Sequence, residues 1–339
     1  MSVTLSTKRD YSKIIQTDPA IEIRSREKSH ELGARVIDVF DESPYHYVPI
    51  NNGRVIFTTD KDFQASSPDW YDLCKDLKLP EGSIIATENY GHTTNIELVE
   101  RATILNPGID TNIANPQFNS IDDGAKRQID GVIVASDFKD GNYAIAVRGA
   151  DCPAIVGSAE IDGKLYYFGV HTGRRGTLCG ISATLLDKLK QIGEIKPGSV
   201  EMIVGPGGMS QEIPLKLLRS ESKHHINNRG WIPDDDSVLA VAAIERAFSH
   251  ISDKPINDSE VFEGRVIYDN PLDVTRRLKM EFDGLLSKNG FTVLAFNTIT
   301  NPRMHSHRAM GGLVTDELKE VSQHNKLARN ALVITPKIR

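Results

Sequence analysis

The chain has 339 residues, of which 39% are hydrophobic and 25% charged, a composition typical of globular proteins. Its formal net charge of −6 lacks the basic excess expected of a protein that binds nucleic acid. No apolar run approaches the roughly 20 residues of a membrane-spanning helix, and Lys8, Arg9 and Asp10 interrupt the start of the chain where a secretory signal would be apolar. We therefore expect neither nucleic-acid nor membrane binding.

The chain contains three cysteines, Cys74, Cys152 and Cys179. A small and odd number of cysteines in a long chain argues against a disulfide framework and favours a reducing compartment. We therefore expect a cytoplasmic protein.

Residues 1–50 are predicted to form an accessory segment, since residues 21–30 are strongly charged and residues 41–44 are typical of a turn. The remainder, residues 51–339, is predicted to be one catalytic domain. Its first predicted elements are a strand at 54–59, a helix at 70–79 and a short strand at 83–87 that leads to His92.

The middle of the chain is rich in predicted strands. Residues 131–135 and 143–147 form a hairpin-like pattern around a polar turn, and residues 154–156 and 165–170 are divided by a second turn. The next predicted elements are a helix at 177–192, a strand at 199–204, helices at 237–248 and 271–289, and a strand at 291–296. Hairpins with flanking helices indicate an α+β protein, in which mixed β-sheets are covered by helices.

Cys152 follows a predicted strand and lies between Asp151 and Pro153. One interpretation is a small buried thiol, which is a common role for a free cysteine. The other is a functional thiol, because sites are often built on the loops at strand ends.

His171 lies where a predicted strand meets a glycine-rich turn and a helix. Gly173 and Gly176 permit close approach of the backbone, and Arg174 and Arg175 add positive charge. Together with the start of a helix, these residues predict an anion or phosphate site; the alternative is a surface turn with two solvated arginines.

His92, Cys152 and His171 together offer the three protein ligands that a catalytic zinc site uses. Their wide spacing means that only the fold can bring them together. The same residues also allow a cysteine hydrolase or amidase, with Cys152 as nucleophile and His171 as its base. Near the C-terminus, Ser306, His307 and Arg308 are candidates for anion contacts or for general acid/base work, or else belong to a basic loop.

Six motifs, taken in order, resemble those of a known family. They are Gly91-His92, Asp130-Gly131-Val132-Ile133, Ala150-Asp151-Cys152-Pro153, His171-Thr172-Gly173-Arg174-Arg175-Gly176, Gly205-Pro206 and Ser306-His307-Arg308. The set resembles the laccase-domain family, also called multicopper polyphenol oxidoreductase-like, from about residue 54 to about residue 313.

The resemblance implies an α+β fold similar to that of the cytotoxic necrotizing factor toxins. It also implies phosphorolysis of purine nucleosides, deamination of adenosine, or both, with a nucleoside and phosphate as the small-molecule partners. The implied zinc ligands are His92, Cys152 and His171. The resemblance also implies Arg175 at the anion and Ser306, His307 and Arg308 at the substrate. The residues themselves suggest Arg174 as a second anion contact and Asp151 as a group that orients a metal ligand.

Several positions depart from the family pattern. Arg174 replaces the usual Trp, Thr172 the usual Ala, and Asn297-Thr298 the usual Cys-Thr. A changed substrate pocket is therefore expected. A ligand-binding relative without catalysis stays open as a further alternative.

Overall fold

The fold is built on a seven-stranded and a five-stranded β-sheet, to which a three-stranded sheet is added. The computed structural model of the protein describes residues 19–37, 45–58, 67–80, 83–87, 92–99, 129–209, 211–214, 218, 238–240, 265–294, 298 and 330–336. The helices in these ranges are α1 (Pro19–Glu31), α2 (Ser67–Leu77), α3 (Arg174–Leu178), α4 (Ile181–Ile192) and α5 (Asn270–Glu281). None of these helices is both long and apolar enough to cross a membrane.

The strands of the described ranges are β1 (Arg35–Ile37), β2 (Tyr45–Ile50), β3 (Gly53–Thr58), β4 (Ile84–Thr87), β5 (Ile96–Val99), β6 (Gly131–Ala135), β7 (Ala144–Gly149), β8 (Ala154–Ile161), β9 (Lys164–His171), β10 (Val200–Val204), β11 (Gln211–Pro214), β12 (Val238–Ala240), β13 (Arg265–Tyr268), β14 (Leu286–Leu294) and β15 (Asn330–Pro336). The large sheet has the order β1-β14-β10-β8-β9-β6-β5, and the second sheet the order β2-β3-β15-β7-β4. The small sheet is β11-β13-β12. The expected α+β class with mixed sheets is confirmed.

Apolar side chains fill three layers between these elements. Alternation along a strand sends Val132 and Val134 of β6 toward the five-stranded sheet and Ile133 toward the opposite face. That opposite face packs against α4 and α5, whereas the outer face of the five-stranded sheet packs against α2. The two large sheets are therefore sandwiched between helices.

The strand directions bring one set of loops to a single end of the seven-stranded sheet. β5, β6 and β8 begin at this end, because β5 is parallel to β6 while β9 is antiparallel to both β6 and β8. β9, β10 and β14 finish there. This end carries His92, Cys152 and His171.

The hairpin predicted for residues 131–147 is wrong, although both strands exist. β6 belongs to the seven-stranded sheet and β7 to the five-stranded sheet, where β7 pairs with β15 and β4. Both strands are buried on both faces, so their apolar runs gave no sign of which neighbour each would pair with. The predicted β8–β9 hairpin is confirmed.

Three predicted helices are also corrected. The stripe at 177–192 is interrupted at Gly180, whose φ of +91° favours glycine, and forms α3 and α4. The helix predicted at 271–289 ends at Glu281, and its last residues belong to β14. Residues 238–240, predicted as helical, form β12; the rest of that prediction lies outside the described residues.

The N-terminal residues contribute to both large sheets. β1 extends the seven-stranded sheet beside β14, and β2 pairs with β3 along its whole length. The predicted division after residue 50 therefore lies in the turn of a strand pair.

Candidate metal centre

His92, Cys152 and His171 converge at the end of the seven-stranded sheet. His171 is the last residue of β9 and lies opposite Ala154, two residues after Cys152, whereas His92 precedes β5. The donor atoms of the three side chains all lie within 4.8 Å of one another. The two imidazole rings are 5.1 Å apart between centroids, with an angle of 54° between their planes.

This donor set fits a zinc ion. Donor atoms around a tetrahedral zinc lie about 3.3–3.8 Å apart, so small side-chain rotations would close the group around one ion. His171 is buried, Cys152 half-buried and His92 exposed, which leaves one side of the group facing solvent. Among the residues that the structure describes, the group has three ligands, a number typical of catalytic zinc and too small for a multicopper centre.

Gly173 has no side chain, and the imidazoles of His92 and His171 occupy the space that a side chain would need. A Cβ atom at this position would lie 3.1 Å from His171 Cε1 and well inside van der Waals distance of His92 Nδ1. The backbone itself would accept another residue, since φ is −60° and ψ is 152°. Gly173 is therefore required by close approach of the histidines and not by its own conformation.

Asp130, immediately before β6, contacts His171. Its Oδ1 lies 3.1 Å from His171 Nδ1, and both side chains are buried. Burial raises the pKa of this carboxyl group, but hydrogen bonds from His171 and Thr93 outweigh burial, and the pKa lies below its ordinary value. A charged carboxylate assigns the proton to Nδ1 and leaves Nε2 of His171 for a metal or a proton.

The carboxylate of Asp151 has a different neighbour. Its Oδ1 accepts a hydrogen bond of 3.1 Å from Thr298 Oγ1, and its backbone carbonyl accepts one of 2.7 Å from Gly208 N. Asp151 thus ties the loop of Cys152 to the segments that follow β10 and β14. The sequence pointed to Asp151 as the aspartate beside the ligands and assigned no role to Asp130.

Hydrogen bonds from backbone and side-chain groups hold the loop that begins at His171. Thr172 donates to the Pro153 carbonyl from its amide, at 2.9 Å, and from its hydroxyl, at 2.6 Å. The Asn270 side chain, at the start of α5, donates to the Thr172 carbonyl at 2.9 Å. Asn270 was not among the predicted site residues, because its contact spans 98 positions of sequence.

The two arginines of the loop begin α3, which has only five residues. Arg174 is half-buried and Arg175 exposed. Both arginines are therefore within four residues of His171 in the sequence, directly after Gly173. Ser306, His307 and Arg308 lie outside the described residues.

Solved structures share this architecture. The hypothetical protein YfiH of Bacillus licheniformis is 15% identical, with a TM-score of 0.54 over 87% of this chain and 100% of its own. YlmD of Geobacillus stearothermophilus is 14% identical, with a TM-score of 0.55 over 88% of this chain and 98% of its own. No protein-family profile and no curated protein sequence matches the chain. The chain therefore has the fold of YfiH and YlmD, in keeping with the α+β fold that its motifs predicted by resemblance.

Proposed function

We propose that this protein is a zinc-dependent enzyme that acts on purine nucleosides, by phosphorolysis, by deamination of adenosine, or by both. One observation carries the proposal: three donors from three separate segments of the chain meet within 4.8 Å at one end of the sheet. The shared fold agrees with the fold that the motif resemblance implies, and the resemblance supplies the substrate class.

His92, Cys152 and His171 would hold the metal, and the mixture of imidazole and thiolate donors suits zinc. When bound, zinc supplies a Lewis acid that activates water near neutral pH. The buried His171 is held by Asp130 in one orientation, and substrate would approach from the side of the exposed His92.

Phosphorolysis requires a second site for an anion. Inorganic phosphate attacks the anomeric carbon of the nucleoside, the glycosidic bond breaks, and the base leaves with a proton. Arg174 and Arg175 provide positive charge on the loop of His171, and guanidinium groups bind phosphate oxygens in pairs.

The test combines metal content with turnover. The purified protein is expected to contain about one zinc per chain and to release free base from a nucleoside panel only when phosphate is present, or ammonia from adenosine. Cys152→Ser is expected to lower both metal content and turnover. A wild-type protein that contains stoichiometric zinc but converts no nucleoside would contradict the proposed reaction.

A second candidate rests on the order of contacts around His171. Cys152 lies within reach of this imidazole, and Asp130 hydrogen-bonds its other side, as in a hydrolase with a cysteine nucleophile, a histidine base and an orienting carboxylate. Iodoacetamide separates the two functions. Alkylation of Cys152 that zinc prevents supports the metal site, whereas alkylation at the same rate with and without zinc supports the cysteine hydrolase. Thermal stabilisation by a nucleoside without turnover would indicate the non-catalytic relative.

A further inference from the structure

We propose that Asp130 is a positioning residue for both histidines of the metal centre, with one carboxylate oxygen serving each histidine. The proposal deepens the proposed function and rests on its metal site. Asp130 is fully buried at the start of β6, between the segments that carry His92 and His171.

The first oxygen acts directly. Oδ1 accepts from Nδ1 of His171 at 3.1 Å, which fixes both the rotation of the ring and the position of its proton. The backbone repeats the connection, since the His171 amide donates to the Asp130 carbonyl at 2.6 Å. His171 is therefore held at two points by one residue.

The second oxygen acts through the neighbour of His92. Oδ2 accepts from the Thr93 amide at 2.8 Å and from its hydroxyl at 2.5 Å. His92 itself has a φ of +49°, a left-handed conformation that a residue other than glycine rarely adopts. The two bonds from Thr93 hold the chain directly after this strained residue, and so set where the His92 imidazole points.

The carboxylate is suited to this double role because it has only acceptors. It serves three donors at once: His171 Nδ1, the Thr93 amide and the Thr93 hydroxyl. An asparagine at this position has a single acceptor oxygen and two amide hydrogens, so it can satisfy one histidine segment but not both. Asp130→Asn therefore removes positioning with little change of volume.

The experiment measures zinc affinity of the full chain by competition with a chelating dye. Asp130→Asn is expected to weaken zinc binding about 10- to 100-fold, as loss of a partner behind a ligating histidine does. Thr93→Val, which keeps the amide donor and loses the hydroxyl, is expected to weaken it about 3- to 10-fold, and Thr93→Ser to restore it. Asp273→Asn is the matched control, because Asp273 is an equally buried aspartate that contacts Tyr268 and Arg277 instead.

The second readout is the ¹⁵N spectrum of histidine in the metal-free protein. We expect the His171 proton on Nδ1 in the wild type and in Asp273→Asn, and a changed tautomer population in Asp130→Asn. A wild-type protein with this proton on Nε2 would overturn the proposal, as would Asp130→Asn and Thr93→Val variants that bind zinc like the wild type. If Asp130→Asn fails to fold, the zinc affinities of Thr93→Val and Thr93→Ser and the wild-type spectrum test the proposal instead.

The two readouts separate this proposal from the proposed function. A wild-type protein that binds no zinc, but whose His171 tautomer changes in Asp130→Asn, would contradict the zinc enzyme and retain Asp130 as the positioning residue. A wild-type protein that binds zinc, with the same affinity in Asp130→Asn, would support the metal site and contradict the positioning role of Asp130.

Discussion

Gly173 shows how closely the chain is built around the two imidazoles. A methyl group at this position would enter the space of His92 Nδ1 and reach within 3.1 Å of His171 Cε1. Because the backbone at Gly173 suits any residue, substitution should disturb the ligands and leave the surrounding fold in place.

Gly173→Ala is accordingly expected to lower zinc affinity about 10- to 100-fold, since overpacking displaces the exposed His92 from the group. The melting temperature of the metal-free protein should change little. Gly173→Ser is the matched variant: it places the same Cβ but improves the start of α3, where no side chain now caps the helix. Two variants that bind zinc as the wild type does would contradict the steric role of this glycine.

At the residue scale, the sequence predicted the members of the group but not their supports. Cys152 and His171 follow recognisable strand and turn patterns, so their place at strand ends could be expected. Asp130 had one signal, an acidic side chain directly before a buried strand. Its partners Thr93 and His171 are 37 and 41 positions away, which no local pattern encodes.

Among the elements, β10 contains a buried carboxylate that joins the two large sheets. Glu201 is only 2% exposed, and its oxygens accept from the Asn51 amide at 2.9 Å, the Asn51 side chain and the Asn52 amide at 3.4 Å. Both asparagines lie in the turn between β2 and β3. Glu201 therefore connects this turn of the five-stranded sheet to an inner strand of the seven-stranded sheet.

Replacing Glu201 with Ala is expected to reduce the free energy of unfolding by about 1–3 kcal/mol, because several hydrogen bonds to a buried charge are lost. Urea unfolding measures the change. Glu160→Gln is the control, since Glu160 pairs with Lys196 at the surface and should change stability by about 0.5 kcal/mol or less. If the two variants were equally stable, the hydrogen bonds between Glu201 and the β2–β3 turn would not stabilise the fold.

The start of α5 should make stability depend on pH. Asp269 caps this helix by accepting from the Leu272 amide at 3.0 Å. Burial raises the pKa of its carboxyl group from 3.8 to about 7, against the hydrogen bonds from Leu272 and Ser25 and the charge of Arg24, which act to lower it. The folded protein thus holds this proton more tightly than the unfolded chain.

The stabilising contribution of this protonation is complete below about pH 4 and is lost as the pH rises from about 4 to about 7. Asp269→Asn keeps the capping oxygen and removes the titration. The free energy of unfolding of the wild type should fall relative to that of the variant over this interval, by up to about 1.4 kcal/mol per pH unit. Parallel stability curves between pH 4 and pH 8 would contradict this role of Asp269.

Local sequence patterns predicted that most helices and strands exist. They did not predict as well which strands pair or where each element ends. The β8–β9 hairpin was predictable because a tight turn at Asp162-Gly163 joins two strands that pair directly. β6 and β7 also follow one another in the chain, yet they belong to two different sheets and pair with other strands. The break before α4 depends on a single left-handed glycine within an otherwise continuous apolar stripe.

Across the whole molecule, strand direction assembles the site. Segments distant in sequence meet because β5, β6 and β8 start where β9 ends. That sheet packs against helices on one face and against the second large sheet on the other. The order of the sheet lay beyond any local pattern. The motif series predicted the same fold by resemblance, and the match to YfiH and YlmD agrees with it.

His92, Cys152 and His171 are proposed to bind one zinc ion. X-ray absorption at the zinc edge, with metal analysis of the wild type and Cys152→Ser, tests it directly. We predict about one zinc per chain, with one sulfur at about 2.3 Å and nitrogens at about 2.0–2.1 Å, and loss of the sulfur signal in Cys152→Ser. Zinc far below one per chain, or a wild-type spectrum without sulfur, would contradict the account.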